Sequence, residues 1–215
     1  MSAHASDGRP RIVREIDTSL TGRPAMTNPP SIATAAGTSV WQQIVSIRRW
    51  VDKQSPVDDS LEALKTRVLT VGEEHGETCE ALLATTTGDG HELADALCDV
   101  ILAAGVALCT ADREAQEAFV GSLAWDEHTG KETIGRLVLK LGQEHGAACQ
   151  AVIGVTAYNP RNGAGHSMDD LVAKLCAVVR AGAAALHRVD STAEKTFAAN
   201  LERAYNRSIG VVRLA

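Results

Sequence analysis

A chain of 215 residues with 45% apolar and 22% charged side chains can bury one sizeable core or two small ones, and it is too apolar to remain disordered. Aromatic residues make up only 3%, so the core must be built from alanine, leucine and valine, which favours closely packed helices and an all-α fold. A net charge of −6 gives no general attraction for duplex nucleic acid or an anionic membrane surface.

Residues 1–38 mix Pro, Gly, Ser and Thr without apolar periodicity and are expected to form a flexible tail, within which Met26 is an alternative start. The N-terminus has no apolar signal core and no segment reads as a clean membrane span, so a cytoplasmic location is expected. The first helix should begin in VWQQIVSIRRWV, where Val40, Ile44, Ile47 and Val51 recur at helical spacing, and end at Ser55-Pro56. A second helix should run from about Ser60 to Ala84, with Leu61, Leu64, Val68, Val71, His75 and Leu82 on its apolar face. After the loop TTTGDG, the third helix, ELADALCDVILAAGVALC, is apolar nearly all round and belongs at the centre of a bundle.

The second half repeats this plan. GEEHGETCEAL from Gly72 returns as GQEHGAACQAV from Gly142, and ELADALCDVILAAGVAL from Glu92 aligns without gaps on DLVAKLCAVVRAGAAAL from Asp170. The register continues through Phe119 with Phe197 and Leu123 with Leu201. The chain thus divides into the tail, one repeat over 39–118 and a second over 119–215. Cys79 matches Cys149 and Cys98 matches Cys176; with Cys109 they make an odd set of five without C-x-x-C spacing, read as small core side chains. His75 and His145, also matched, read as packed core histidines, and Trp41, Trp50 and Trp125 as helix-packing anchors.

The copies differ in charge. Glu73, Glu77 and Glu80 form one stripe on the second helix, with Glu74 beside them, and Glu92, Asp95 and Asp99 form another on the third. On its own such a stripe reads as a solvated face, but the third helix is otherwise apolar, and buried carboxylates require a cation. Residues 39–118 hold six Lys or Arg against fifteen Asp or Glu, whereas 119–215 hold eleven against nine. A hard divalent cation takes such clusters of oxygen donors, and Mg²⁺ leaves positions for substrate phosphates.

Glu73-Glu74-His75-Gly76-Glu77 followed by Glu92-Leu93-Ala94-Asp95 resembles the E-E-x-x-E and E-x-x-D signature of the MazG-like, all-α nucleoside triphosphate pyrophosphohydrolases. The resemblance covers roughly Val40 to Arg207 over both copies, and the second-copy loop with Asn159-Pro160-Arg161 is similar to the N-P-R-K-G-x-x-H loop of one subgroup. It implies a MazG-like helical bundle in which the two tandem repeats form a covalent pseudo-dimer, and it allows a homo-oligomer of such pseudo-dimers. The implied metal ligands are Glu74, Glu77, Glu92, Asp95 and Asp99, holding Mg²⁺ or Mn²⁺. The second motif has two open phasings, because Ala96-Leu97-Cys98-Asp99 also fits the subgroup's frame.

By the same resemblance, a nucleoside triphosphate is the substrate and water attack releases the monophosphate and pyrophosphate. Glu73 is the catalytic candidate to orient the water or take its proton, although the base is not fixed by the sequence. In the second copy Gln143, Ala147, Ala173 and Ala177 stand for Glu73, Glu77, Asp95 and Asp99, so that copy cannot hold metal in the family's way. Arg161 and Lys174 are the substrate-binding candidates, with Arg180 beside them; for Lys174 and Arg180 pairing with nearby acids is the structural alternative. The family's phosphate-binding Lys and Asn after the second motif are represented mainly by Arg113. Two other readings are an inactive nucleotide-binding pseudoenzyme and a helical protein-interaction module.

Overall fold

The computed structural model describes residues 39–54, 61–84, 90–125, 130–156 and 165–210. Among these residues the protein is all-α, with helices α1 (Val40–Gln54), α2 (Leu61–Ala84), α3 (Gly90–Ala111), α4 (Gln116–Leu123), α5 (Ile134–Val155), α6 (Met168–Val189) and α7 (Ala193–Ser208). The expected first helix ends where the sequence reading put it, just before Ser55-Pro56. Leu61 opens α2 but is exposed, a correction to the expected apolar face: it stands at the very end of the helix, where the apolar stripe begins. The tail, the loop 85–89 and the loop carrying Arg161 lie outside the described residues.

α3 is the central element. It packs against α1, α2, α6 and α7, and its Leu97, Cys98, Val100, Ile101, Ala104, Ala107 and Leu108 are sealed from solvent. By length and composition α3 could cross a membrane, yet 72% of its most apolar window is buried inside the bundle, which accounts for its hydropathy. Small residues let it approach α6 closely: a Cβ on Gly182 would come within 2.8 Å of Ile101 Cγ1.

Contacts recur in matched pairs across the halves. α2 packs on α3 as α5 packs on α6, and α2 crosses α5. At that crossing His75 Nε2 lies 3.2 Å from the Val138 carbonyl and His145 Nε2 lies 3.0 Å from the Val68 carbonyl. Since a carbonyl oxygen only accepts, each Nε2 carries the proton it donates. Each imidazole fills the space over the opposite glycine: a Cβ on Gly72 would stand 2.7 Å from His145 Cε1, and one on Gly142 2.7 Å from His75 Cε1. The histidines therefore clasp the two halves, a more specific task than filling a core.

Two aromatic pairs repeat in the same way, Trp41 with Phe119 at 5.7 Å between ring centroids and Trp125 with Phe197 at 6.0 Å. Trp50, by contrast, is 41% exposed and forms no such pair with a described residue. The halves interleave: α1 packs on α7, α3 on α6, and the described residues make one compact unit. Cys98, Cys109 and Cys176 are buried, and burial pushes the Cys98 thiol up to about 12 and raises those of Cys109, Cys149 and Cys176, as inert packing groups require.

Candidate metal and nucleotide site

The acids of the first half meet along the seam between α2 and α3. Glu74 on α2 is half-buried within electrostatic reach of Asp99 on α3, itself half-buried; Glu73, Glu77, Glu92 and Asp95 are exposed. Burial is the main reason that the Glu74 carboxyl rises to about 7, with the charges of Asp99, Glu77 and Glu73 adding to it. Asp99 is raised too, first by burial and then by Asp95 and Glu77. The chain thus brings Glu74, Glu77, Asp95 and Asp99 into mutual electrostatic reach, whereas Glu92 stands in the first turn of α3. Glu80, one turn beyond Glu77, is exposed.

Positive charge reaches this seam from α7. Arg203 Nη2 donates to Asp95 Oδ1 at 3.1 Å, and Arg203 and Arg207 both act to lower the Asp99 carboxyl against its rise. Neither arginine belongs to a recognisable motif, and the contact spans 108 residues of sequence, so the acid stripes that read as lacking cations within their own half are met from the other one. Lys174 stands elsewhere: on α6 its charge lowers the carboxyl of Asp170, whose main stabilisation is the capping box with Ser167. Arg180 lines a separate cleft between α5 and α6.

Among the described residues no three acids, histidines or cysteines close around a point that could hold a metal ion. The donor set nevertheless suits a hard divalent cation, because it offers only carboxylate oxygens, and two of the carboxyls are half-buried and raised, first by that burial and then by neighbouring acids. Elsewhere in the first half, Asp52 accepts from Arg67 Nη2 at 3.2 Å and stands 3.3 Å from Arg48 Nη2, tying α1 to α2 with two buried guanidiniums.

Among the described residues, fold and site together define an all-α bundle with an acidic seam in one half and no counterpart of it in the other. The chain matches no family model, no characterised protein and no solved structure.

Proposed function

We propose that the protein is a metal-dependent nucleoside triphosphate pyrophosphohydrolase, built as a pseudo-dimer of MazG-like repeats in which only the first repeat carries the catalytic acids. The observation that supports this most is the pair Glu74 and Asp99, two half-buried carboxylates on adjacent helices, the first raised to about 7 and the second raised in the same direction, both chiefly by burial. An acid placed at such cost is more easily understood as a ligand awaiting a cation than as a solvated surface charge.

Glu74, Glu77, Asp95 and Asp99 would hold Mg²⁺ or Mn²⁺, with Glu92 at the mouth of the seam; between the two phasings of the second motif, the mutual charge effects of Glu74 and Asp99 favour including Asp99. The bound ion supplies polarisation of phosphate oxygens and lowers the pKa of water. Glu73, exposed beside Glu74, would orient the attacking water and accept its proton. Water oxygen adds to the α-phosphorus, the bond to the β-phosphate bridging oxygen breaks, and the nucleoside monophosphate and pyrophosphate leave. Arg203 and Arg207 would meet the phosphate oxygens from the α7 side, making the site composite between the halves.

The ion pair of Arg203 with Asp95 favours one other reading, a nucleotide-binding protein without turnover, since it engages one of the acids. Pyrophosphate release from a panel of ribo- and deoxyribonucleoside triphosphates, with Mg²⁺ and with Mn²⁺, separates the two. Release that depends on the metal is expected; nucleotide binding with no release from any substrate, by folded protein at high concentration, would select the inactive reading.

A further inference from the structure

The region of the second half that corresponds to the acidic seam is not a blank. Between α5 and α6 lies a cleft of about 410 Å³, bordered by Lys140, Glu144, Arg180, Arg188, Glu132 and Ala177. In the register fixed by the histidine clasp and the aligned α3 and α6 sequences, Glu144 stands for Glu74 and Ala177 for Asp99. The three cations stand where the first half has Thr70, Leu102 and Thr110. The second copy has therefore not only lost acids; it has gained bases around the same seam.

The cations are available. Lys140 and Arg180 are exposed and make no ion pair with a described residue, while Arg188 is held in place by donating Nε to the Glu132 carbonyl at 3.1 Å. Of the two acids, Glu132 is already met by Arg136 Nε at 3.0 Å, so that among the described lining residues three cations stand against Glu144. The space between them has an apolar floor, with Ala177 taking the place of an aspartate. A cleft of this size, with cations at the rim and an apolar base, suits a molecule that joins phosphate groups to a flat, weakly polar ring.

We infer that the α5/α6 cleft binds a nucleoside phosphate without metal, at a second site separate from the acidic seam. A chain carrying a net charge of −6 does not attract such an anion in general, so metal-free binding would have to be local. The inference stands independently of catalysis in the first half.

The test is calorimetric titration of the full chain with each of the four ribonucleoside triphosphates in excess EDTA. Wild-type protein should bind at least one of them, and the Lys140→Ala/Arg180→Ala double variant should bind it at least about tenfold more weakly, since two charge-assisted phosphate contacts are removed. Ala177→Asp, which restores the first-half residue, should weaken it as well, whereas Asp99→Asn should leave it unchanged. Absence of binding in EDTA, binding that survives the double substitution with its affinity intact, or binding lost in Asp99→Asn would overturn the inference. Thermal melts of the variants ensure that loss of binding is not loss of fold, as expected for substitutions at two exposed side chains.

Discussion

The α2/α3 seam and the α5/α6 seam are built on the same frame and have opposite character. In the first, Glu74 and Asp99 are half-buried among other acids, and burial raises both carboxyls. In the second, Ala177 replaces the aspartate and Lys140, Arg180 and Arg188 border an open cleft. The packing that holds the seams is shared, down to the paired histidine clasp and the paired Trp–Phe contacts. Two similarly packed helix pairs can thus share a kind of core and differ in the charge of their grooves, because core positions and groove positions sit on different faces of the same helices.

The largest effect is expected from making the first seam resemble the second. Asp99→Asn and Glu77→Gln should each lower turnover by roughly 10²–10³-fold, the scale of losing one electrostatic contributor to a transition state. The metal-free melting temperature should hold or rise, since a repelling charge is removed. Pyrophosphate-release kinetics and thermal melts check both halves of the statement; unchanged kinetics in both variants would show that the ligands lie elsewhere.

Next comes the shared clasp. Gly72→Ala and Gly142→Ala each bring a methyl group against an imidazole at about the same distance, so both should destabilise by about 1–3 kcal/mol, the range for overpacking. Equal shifts in the denaturation midpoint are the expected result. A cost at only one of the two would mean that the clasp is not equivalent in the two halves.

A smaller effect separates the seams by pH. Glu74 rises from 4.5 to about 7 on folding, so between these values the folded chain binds more protons than the unfolded one. Metal-free stability from this group is therefore fully present below pH 4.5 and is lost as pH rises through about 7, with Asp99 acting in the same direction. Glu74→Gln should flatten that slope, and saturating Mg²⁺ should oppose it by favouring the ionised form. Urea denaturation at a series of pH values, with and without Mg²⁺, reads both; a wild-type slope in Glu74→Gln would refute the assignment.

The smallest stability effect belongs to Arg203→Ala. Its ion pair with Asp95 is well exposed on both sides, so the loss should be no more than about 1 kcal/mol. If α7 completes the acidic site, the same variant should raise KM for the nucleotide while the fold stays intact. Unaltered kinetics would make Arg203 a surface contact only.

Helix positions, the repeat and the two acid stripes were legible in the sequence because each is written in local periodicity: Val40, Ile44 and Ile47 mark α1, and the matched runs from Gly72 and Gly142 mark α2 and α5. Which acids would be half-buried was not. Glu73 and Glu74 are neighbours of the same chemical type, and only the crossing of α2 over α3 places one in the seam and the other in solvent. The sequence also raised the question of where the first half finds cations without being able to answer it, since Asp95 and Arg203 are 108 residues apart and meet only because α7 packs on α3. Lys140, Arg180 and Arg188 likewise come from two helices and share a cleft only after α5 and α6 associate. A single helix fixes which of its own residues share a face; which faces meet, and what charge gathers between them, is decided by packing at long range.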